Sequence, residues 1–496
     1  MSDIHPMDQF NKKLINNVRP QDYQNPYPKD NYSLVVIGGG TAGLVTAAGA
    51  AGLGASVALV ERRFMGGDCL NYGCVPSKSI IAASRENKIA LQKNHTGDPK
   101  AFEEAMEKMR NNRARISDND SVKRFNELGV DVFLGDAKFI SKNSMEVTGQ
   151  QLNFTKAVIA TGGRPRELVL PGLEKEDYHT NESIFNMTEK PEKMAVIGAG
   201  PIGCELAQAF QNLGVKVTIF QREAQILPRE DRDAAEIVYQ QLLKDGVAVE
   251  LGTDLKKVDK RDNKKYLVYE KNGQEETKGV DAILVGIGRI PNIENMGLDK
   301  AGVDSNRQGI IVNDKLQTTN RKIFAVGDCC MKYKFTHAAD AAARIVISNA
   351  LFLGKQKLSD LIIPWCTYTE PEIAHVGLYP HDAEDKGVEI DTYEQSFAQV
   401  DRAITDGEES GLIKVHTKKG SDKILGATIV AANAGDMISE ITTAMVCNIG
   451  LKTLSGVIHP YPTQAEAVKK IADAYNRTRL TPFAQKILKY ILKITG

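Results

Sequence analysis

A glycine-rich unit occurs twice in this chain and narrows the folds that it can adopt. In the first copy an apolar run at residues 34–37 leads into Gly38, Gly40 and Gly43, which have the spacing Gly-x-Gly-x-x-Gly. A segment of small residues follows, and then a second apolar run that ends on Glu61. This order predicts a strand, a tight turn, a helix and a parallel strand.

Each residue type in this unit has a physical role in nucleotide binding. Gly38 permits the tight turn, Gly40 lets the backbone approach a pyrophosphate, and Gly43 lets the helix pack on the strand. The helix N-terminus offers free N–H groups and the positive end of its dipole to the phosphates. Glu61 can accept a hydrogen bond from a ribose hydroxyl, so the unit predicts a nucleotide-binding cradle.

The second copy contains Gly198, Gly200 and Gly203, followed by a predicted strand at residues 215–220. Strand, glycine triplet and helix again occur together. This favours a nucleotide-binding turn over a glycine-rich turn that binds no ligand. Two cradles in one chain indicate two bound nucleotides.

The second cradle differs from the first where nucleotide specificity is set. Gln221 and Arg222 stand where an NAD site usually has an acid, and Arg229 lies close behind in the sequence. An arginine can hold a 2′-phosphate bidentately, which favours NADPH over NADH. Glu223 is the residue that could still reach a ribose and favour NADH.

Size and charge exclude several other classes of protein. With 496 residues the chain is too long for one hydrophobic core, and about three domains are expected. It has 63 Lys and Arg residues against 63 Asp and Glu residues, so no excess of positive charge favours nucleic acid as a partner.

The start of the chain lacks a secretory pattern, and its seven cysteines do not form a disulfide framework, so a reducing cytoplasm is the expected location. The uncharged segment 34–60 is too rich in glycine and alanine to predict a membrane helix.

Two cysteines lie in a third distinctive stretch, GGDCLNYGCVPSK, at residues 66–78. Cys69 and Cys74 precede a predicted helix, and a thiolate near a helix N-terminus and a cation has a depressed pKa. A zinc site would need a second Cys/His pair at suitable spacing, which the sequence does not offer. These features agree with a redox-active pair, and a buried structural pair is the alternative.

These pieces, in this order, resemble the pyridine-nucleotide disulfide oxidoreductases, the flavoproteins that include dihydrolipoamide dehydrogenase, glutathione reductase and mercuric reductase. The similarity covers about residues 32–480. Further matching blocks are VIATGG (158–163), LVGIGRIPN (284–292), IFAVGDCC (323–330), YTEPEIAHVG (368–377) and HPYPTQAE (459–466).

The resemblance implies an α/β fold with two Rossmann-like nucleotide-binding domains, for FAD and NAD(P), and a C-terminal α+β dimerisation domain. The expected boundaries are an N-terminal extension at 1–31, an FAD-binding domain at 32–175 and 286–353, an NAD(P)-binding domain at 176–285, an interface domain at 358–476 and an amphipathic C-terminal tail at 477–496. It also implies a homodimer, in which the interface domain of one chain contributes residues to the partner's site.

The cofactor sites follow from the same resemblance. It places FAD in the first cradle, with Asp328 on the ribityl chain or the adjacent phosphate, and NADPH or NADH in the second. Gly162 and Gly288, within two of the matching blocks, are assigned to cofactor binding on the same ground.

The resemblance further implies that Cys69 and Cys74 form a disulfide beside the isoalloxazine ring, with Cys74 nearer the flavin and Cys69 facing substrate. Lys78 and Glu205 would form an ion pair near the flavin N5 edge. Each of these two charges lies on the first turns of a predicted helix, where the alternative is a solvated surface side chain.

One position departs from the disulfide-reducing members of the family, which carry a His-Pro-Thr triplet followed by Glu. Their histidine is the acid/base for the substrate thiol. Here Tyr461 stands before Pro-Thr, Glu466 fits the pattern, and His459 lies two residues too early. A tyrosine, with a pKa of about 10, is a poor base at neutral pH. By resemblance mercuric reductase also has tyrosine here, and soft thiolates suit Hg(II) and Cu; a tyrosine that only packs at the subunit interface is the alternative.

Two features of mercuric reductases are missing. No cysteine follows Cys447, where that branch has a vicinal pair that collects metal, and residues 1–32 contain none. Cys329 and Cys330 are expected to be small buried hydrophobic residues rather than an auxiliary thiol couple. Pro201 stands where glutathione reductase has a gating tyrosine, so no aromatic lid is expected.

The two ends of the chain carry separate expectations. The stretch TPFAQKILKYILKITG at residues 481–496 predicts an amphipathic helix with apolar residues on one face and lysines on the other. Such a helix can pack across a dimer or lie on an anionic membrane, and packing is favoured. The N-terminal extension is expected to be an extended arm or disordered.

We therefore expect a FAD-containing, NAD(P)H-dependent oxidoreductase, most similar to mercuric reductases, that passes electrons through Cys69 and Cys74 to a thiophilic metal ion or a disulfide. The rival enzyme is dihydrolipoamide dehydrogenase or another disulfide reductase. An alternative of another class is a flavin-binding scaffold or membrane-associated redox sensor.

Overall fold

The structure, a computed structural model, describes residues 4–94, 100–262 and 264–495 of the chain. These residues divide into two compact units. The first contains the described residues up to Arg222 together with Gly246–Leu361. The second contains Glu223–Asp245 together with the described residues from Ile362 onward.

The strands run in chain order through both units. They are β1 (Tyr32–Ile37), β2 (Val57–Glu61), β3 (Val130–Leu134), β4 (Ala137–Ser141), β5 (Ser144–Val147), β6 (Gln150–Ile159), β7 (Gly163–Pro165), β8 (Lys193–Ile197), β9 (Lys216–Gln221), β10 (Ala248–Leu251), β11 (Asp254–Arg261), β12 (Lys264–Lys271), β13 (Gln274–Val280), β14 (Ala282–Val285), β15 (Arg289–Pro291), β16 (Ser305–Asn306), β17 (Gly309–Ile310), β18 (Ile323–Ala325), β19 (Pro364–Thr367), β20 (Glu372–Gly377), β21 (Ile390–Ser396), β22 (Leu412–Lys418) and β23 (Ile424–Ala431).

The α-helices are numbered in the same way. They are α1 (Gln9–Val18), α2 (Thr41–Gly52), α3 (Gly67–Asn71), α4 (Cys74–Asn94), α5 (Ala101–Ile116), α6 (Val122–Glu127), α7 (Pro201–Asn212), α8 (Arg232–Lys244), α9 (Leu298–Ala301), α10 (Thr336–Leu351), α11 (Pro380–Asp385), α12 (Asp401–Asp406), α13 (Ala434–Val446), α14 (Leu451–Leu454), α15 (Glu466–Thr478) and α16 (Pro482–Thr495).

The first unit is built on a seven-stranded sheet in the order β3-β2-β1-β6-β5-β4, with β18 also paired to β6. β1 pairs in parallel with β2 and with the second half of β6, so α2 is the crossover helix of a βαβ unit. β1 is almost entirely buried, as expected for a parallel strand covered on both faces. Because β18 joins this sheet, the segment near residue 325 shares a core with the start of the chain.

A second parallel sheet, in the order β10-β9-β8-β14, repeats the βαβ arrangement through α7. The antiparallel sheet β11-β12-β13 contributes Leu267 and Tyr269 to a buried cluster that also contains Phe220 and Ile283. The predicted pair of Rossmann-like halves is thereby confirmed.

The second unit is centred on an antiparallel sheet in the order β19-β20-β23-β22-β21. Its core includes Ile413 and Ile429 from the sheet, Ile441 from α13 and Ile471 from α15. Helices that pack on one antiparallel sheet form an α+β domain, which confirms the predicted class of the C-terminal part.

The N-terminal extension is not the extended or disordered arm that the sequence favoured, because residues 9–18 form α1. The side chain of Asp8 caps this helix by accepting a hydrogen bond from the backbone N–H of Asn11. Leu14, Ile15 and Val18 are buried on one face. Packing of this face within the first unit stabilises a short helix that would be marginal alone.

The helical prediction at the other end is confirmed by α16, which spans fourteen residues. Across the described ranges, no helix is both long enough and apolar enough to cross a membrane.

Candidate active site

The first cradle has the backbone geometry that its glycines predict. Gly38 has a φ of 110°, and a Cβ there would lie 2.3 Å from the carbonyl oxygen of Ala160. A Cβ on Gly43 would lie 1.8 Å from the carbonyl oxygen of Gly38, so α2 can approach β1 only with glycine here. For a Cβ on Gly40, the nearest atom of the described residues would be the Cα of Gly67, at 3.7 Å. Protein packing explains Gly38 and Gly43, whereas Gly40 fits the close approach of a ligand to the backbone.

Glu61 ends β2 with its carboxylate at the edge of this turn. Its Oε2 accepts a hydrogen bond from the backbone N–H of Gly39 at 2.6 Å, and its Oε1 accepts one from Arg63 N at 2.6 Å. Burial raises the pKa of the carboxyl group, and the two backbone donors act in the opposite direction. The acid is therefore fixed where ribose recognition was predicted.

The second cradle repeats this backbone geometry. Gly198 has a φ of 100°, and a Cβ on Gly203 would lie 1.9 Å from the carbonyl oxygen of Gly198. A Cβ on Gly200 would meet no atom of the described residues within 4 Å. Gly200 thus resembles Gly40, since close packing of the protein does not account for it.

Gln221 replaces the acid of the first cradle in both sequence and structure. Its Oε1 accepts a hydrogen bond from the backbone N–H of Ala199 at 2.9 Å, the contact that Glu61 makes with Gly39. Arg222 follows directly and is exposed. The second cradle thus has a neutral amide and an adjacent cation at the position where the first has a carboxylate.

The cysteine turn is held against the first cradle. The backbone N–H of Gly66 donates to the carbonyl of Gly39 at 2.8 Å. Gly67 has a φ of 56°, and a Cβ there would lie 2.5 Å from the Cα of Gly40. The two glycines that precede Cys69 therefore allow the chain carrying the thiols to contact the nucleotide-binding turn.

Cys69 and Cys74 interact as a thiol pair. The hydrogen bond from Cys69, together with Thr336 and the charge of Lys78, lowers the pKa of Cys74 to about 6 against the opposing effects of burial and of Asp68. The Oγ1 of Thr336 lies 3.5 Å from the Sγ of Cys74. The same Cys69–Cys74 hydrogen bond, together with burial, raises the pKa of Cys69 well above its usual value. Cys74 is therefore the thiolate at neutral pH, and Cys69 is its protonated partner.

The Lys78–Glu205 ion pair expected from the sequence is present. The Nζ of Lys78 lies 2.7 Å from the Oε2 of Glu205. The Glu205 side chain is only 5% exposed and that of Lys78 is 35% exposed, so the alternative of a solvated surface glutamate is wrong. The pair joins α4, which begins at Cys74, to α7, which begins in the second cradle.

Asp328 belongs to a charge cluster that the sequence did not predict. The Nη1 of Arg289 lies 3.2 Å from the Oδ2 of Asp68, and its Nε lies 3.3 Å from the Oδ2 of Asp328. Burial raises the pKa of Asp328, and the charge of Arg289 opposes this shift. Since Asp68 directly precedes Cys69, Arg289 connects the cysteine turn to the Val-Gly-Asp block. In the sequence, the one sign of this charge cluster was the arginine directly after Gly288.

Gly162 and Gly288 precede the two strands of a small antiparallel sheet, β7 and β15, in which Gly163 pairs with Pro291. Gly162 has a φ of 65° and Gly288 a φ of 110°. A Cβ at either would meet no atom within 4 Å in the part of the chain that the structure describes, so the positive φ is what requires glycine. Their assignment to cofactor binding stays a prediction.

A buried arginine outside every sequence motif braces the cysteine turn. Arg113, on α5, is fully buried, and burial lowers the pKa of its guanidinium to about 10. Its Nη1 donates to the carbonyl of Asn71 at 2.8 Å, and its Nη2 donates to the Oδ1 of Asn11 on α1 at 2.7 Å. Asn71 lies between the two cysteines. The N-terminal helix is thereby connected to the cysteine turn through two hydrogen bonds.

Tyr461, in the second unit, is 71% exposed. Its hydroxyl donates to the Oδ2 of Asp401 at 3.0 Å, and this bond and the carboxylate charge raise the pKa of the phenol above its usual value. The side chain is therefore protonated at neutral pH and cannot accept a proton there.

His459 and Glu466 lie near Tyr461 in sequence but have separate partners. The Nε2 of His459 is 3.0 Å from the Oε1 of Glu440, and the histidine side chain is largely buried. Glu466 begins α15, and its Oε1 lies 3.7 Å from the Nζ of Lys470. A histidine–carboxylate pair is present in this unit, although its carboxylate is Glu440 rather than Glu466.

The adjacent pair Cys329 and Cys330 packs in the first unit. The Sγ of Cys329 lies 3.3 Å from the carbonyl oxygen of Val326, and this residue is fully buried. Cys330 is half-buried and packs against the apolar cluster of the first unit that contains Cys329. Both contacts are those of small core residues, as the sequence indicated.

Comparison with known proteins identifies the family. Residues 32–343 match the family model described as pyridine nucleotide-disulphide oxidoreductase, and residues 363–472 match the dimerisation domain of that family. A mercuric reductase of Staphylococcus aureus is 34% identical over 466 residues, which cover 92% of this chain and 85% of that protein. The chain belongs to the pyridine nucleotide-disulfide oxidoreductase family.

Other relatives of this oxidoreductase carry different names. A dihydrolipoyl dehydrogenase of Chlamydia muridarum is 32% identical over 452 residues, covering 88% of this chain and 95% of that protein. The structure of the HOCl-induced flavoprotein disulfide reductase RclA from Escherichia coli matches with a TM-score of 0.81 at 26% identity, covering 89% of this chain and 99% of that one. The family is thus established, while its relatives differ in the acceptor that their names indicate.

The residues of both cradles fit the cofactors of this family, whose members use FAD and NAD(P)H. In each cradle the N-cap glycine of the helix, Gly40 or Gly200, provides no side-chain cap, which leaves backbone N–H groups of the first helical turn to bind a phosphate. In the second cradle these groups exclude Pro201, the first residue of α7, which has no N–H. Neither N-cap glycine has a described atom closer than 3.7 Å to the position of a Cβ. The oxidoreductase is an enzyme, and its dimerisation domain supports a homodimer.

Proposed function

We propose that this oxidoreductase reduces a thiophilic metal ion such as Hg(II) or Cu(II) with electrons from NAD(P)H, preferentially NADPH. Two electrons would leave the nicotinamide; they would convert one Hg(II) to Hg(0) or two Cu(II) to two Cu(I), with release of one proton. Bound FAD would supply the link that carries these electrons between the nicotinamide and the Cys69–Cys74 pair, which cycles between disulfide and dithiol.

The observation that carries this proposal is the state of Tyr461. Reduction of a disulfide substrate requires a proton for the departing thiolate, and a side chain that titrates near neutrality serves this step best. In the sequence pattern Tyr461 stands where that side chain is expected, and its hydrogen bond to Asp401 moves the pKa of the phenol further from neutrality. Reduction of a metal ion needs soft ligands instead of this proton donor.

The cysteine turn supplies the soft ligands. Cys74 is a thiolate at neutral pH, stabilised by the thiol of Cys69, by Thr336 and by the charge of Lys78. Metal binding by Cys69 would displace its thiol proton, a step that the affinity of thiolates for soft metals drives. Glu205 fixes the ammonium of Lys78 so that its charge stays near the turn.

A preference for NADPH follows from the second cradle. Gln221 makes the contact of the usual acid without its negative charge, which would repel a 2′-phosphate. The exposed Arg222 lies next to it and supplies a fork-shaped donor for that phosphate.

A second candidate is reduction of a small disulfide such as lipoamide. His459 is hydrogen-bonded to Glu440, and a histidine held by a carboxylate is a common proton carrier. This candidate requires His459 to take the role that Tyr461 cannot fill.

The two functions are separated by an acceptor screen with purified, FAD-containing protein. Oxidation of NADPH and NADH is followed with Hg(II) as its thiol complex, with Cu(II), with lipoamide and with an artificial dye that accepts electrons directly from flavin. We expect turnover with the metal ions and a loss of roughly a hundredfold or more in Cys69→Ser, with dye reduction retained.

The matched control is Cys447→Ser, since Cys447 is also a thiol of the chain and is exposed. It should keep full activity with every acceptor. Turnover with lipoamide but not with the metals would contradict the first proposal and support the second. Metal reduction that survives in Cys69→Ser would contradict the role of Cys69 in the first proposal, and lipoamide reduction that survives in it would contradict the second.

A further inference from the structure

Helix α16 presents an apolar face that its own unit leaves uncovered. None of the fourteen residues of α16, all of which the structure describes, is buried. Seven large apolar side chains are between 45% and 73% exposed, namely Phe483, Ile487, Leu488, Tyr490, Ile491, Leu492 and Ile494. Isolated exposed apolar residues are common on proteins, but a contiguous group of this size indicates an interaction surface.

The two faces of α16 are sharply divided. With 3.6 residues per turn, the seven apolar side chains project over about 200° of the helix circumference. The remaining arc carries Gln485 and three lysines, Lys486, Lys489 and Lys493. No Asp or Glu occurs between residues 481 and 495, so every charged residue of the polar face is a cation.

The preceding helix, α15, shows how a helix of this unit packs against protein. Its buried residues Ala467, Val468, Ile471 and Ala472 form a narrow stripe that enters the core of the unit. Its charges are mixed, and the Nζ of Lys469 pairs with the Oδ2 of Asp473 at 2.9 Å. α16 has neither the narrow stripe nor the balanced charge of this neighbour.

We propose that α16 lies flat on an anionic lipid membrane, with its apolar face between the headgroups and the acyl chains and its lysines at the headgroups. A helix of fourteen residues is about 21 Å long, which is shorter than the roughly 30 Å of a bilayer core. It therefore binds along the surface. A wide apolar face opposite a lysine-rich, acid-free face is the composition of helices that bind in this way.

The sequence alone favoured packing of this helix against a second copy of the chain. A lipid surface fits α16 better. A helix that packs on protein buries a stripe of about 100°, whereas the apolar face here is about twice as wide. Two copies of α16 in contact would also bring six lysines together without an acid on either helix. Anionic headgroups supply the complementary charge at every position along the helix.

The test is cosedimentation of the full-length FAD-containing enzyme with lipid vesicles. Vesicles of phosphatidylcholine mixed with phosphatidylglycerol are compared with vesicles of phosphatidylcholine alone, at low and at high salt. We expect binding to the anionic vesicles that weakens at high salt, since added ions screen exposed charges. NADPH-dependent dye reduction confirms that each variant is folded, and this activity is independent of the metal or disulfide acceptor.

Two variants and a matched control define the surface. Replacing Lys486, Lys489 and Lys493 with Gln should weaken binding about fivefold per lysine, so roughly a hundredfold in total. Ile487→Ser combined with Ile491→Ser should abolish it, and these residues are exposed, so the fold is retained. The control replaces three exposed lysines elsewhere in the unit with Gln, namely Lys386, Lys418 and Lys452, and should bind like the wild type.

Three outcomes would overturn the proposal. The first is wild-type enzyme that fails to bind anionic vesicles. The second is equal loss of binding in the control and in the helix variants. The third is a dimer that dissociates when Ile487 and Ile491 are replaced, measured by light scattering, without vesicle binding by the wild type; α16 would then pack between copies of the chain.

Discussion

The Nζ of Lys78 lies 2.7 Å from the Oε2 of Glu205, and this ion pair joins the helix that starts at Cys74 to the helix of the second cradle. The carboxylate is almost completely buried and depends on its partner, because a buried charge without compensation is strongly unfavourable. The pair therefore has a structural role as well as an electrostatic effect on the cysteine turn.

Replacing Lys78 with Gln should destabilise the protein by about 2 kcal/mol, below the range for a fully buried pair because the lysine side chain is partly exposed. Urea denaturation of the FAD-containing protein measures the change. The control is Lys175→Gln, which breaks a 2.8 Å pair with Glu167 at a well exposed site and should change stability by less than about 0.5 kcal/mol. Equal effects of the two substitutions would show that Glu205 does not depend on Lys78.

The pH dependence of Cys74 provides a second prediction. With a pKa of about 6, Cys74 should be mostly thiolate at pH 7, and its alkylation rate should fall only as the pH drops through about 6. Since hydrogen bonding by Cys69 is the largest cause of the low pKa, Cys69→Ala should raise the pKa and shift the fall in rate toward higher pH. Alkylation with iodoacetamide, resolved for the Cys74 peptide by mass spectrometry, measures both profiles. An unchanged profile in Cys69→Ala would assign the low pKa to Thr336 and Lys78 instead.

The sequence predicts the cradles well because each depends on local constraints. A run of apolar residues marks a buried parallel strand, and the glycine spacing marks positions where a Cβ would collide with the backbone, as at Gly43 and Gly203. These signals lie within about thirty residues of one another. The Lys78–Glu205 pair could be predicted only through the resemblance to the family, in which both residues have matched positions relative to a motif.

Interactions between distant segments could not be predicted in this way. Arg289 contacts Asp68, and Arg113 contacts Asn71 and Asn11, only because the fold brings separate parts of the chain together. Helix α1 was missed for a related reason, since its stability comes from burial of three apolar residues in the folded unit rather than from helix propensity. The sequence does not show which distant residue an arginine will contact, or which surface a short, mainly polar segment will pack against.

The glycines of the first cradle should separate ligand binding from folding. Gly43→Ala places a Cβ 1.8 Å from a backbone oxygen and should destabilise the protein by at least about 2 kcal/mol, although alanine normally favours a helix. Gly40→Ala meets no close protein atom and should change the stability of the FAD-free protein by less than about 0.5 kcal/mol, while the purified protein retains little FAD. Flavin content after gel filtration and urea denaturation measure the two effects. Full retention of FAD by Gly40→Ala would contradict the role of this turn.

The choice between NADPH and NADH should depend on Arg222. Loss of a charge-assisted hydrogen bond to the 2′-phosphate in Arg222→Ala should raise the KM for NADPH about tenfold and change the KM for NADH by less than about twofold. Steady-state kinetics with a dye acceptor measure both constants. Arg321→Ala, at another exposed arginine of the same unit, is the control and should change neither. Equal increases with both nucleotides would show that Arg222 does not read the 2′-phosphate.

Tyr461 should decide whether the enzyme can reduce disulfides. Tyr461→His introduces a group that titrates near pH 6.5 at the position of the missing proton carrier, and the nearby carboxylate of Asp401 would favour its protonated form. We expect lipoamide reduction to rise by about tenfold or more, because a positioned general acid commonly contributes a hundredfold or more. Tyr461→Phe, which removes only the hydroxyl, should show no such gain, and measurement of both variants with lipoamide and with Hg(II) separates the effects. A folded, FAD-containing Tyr461→His enzyme without any gain would show that proton supply at this position does not limit the choice of acceptor.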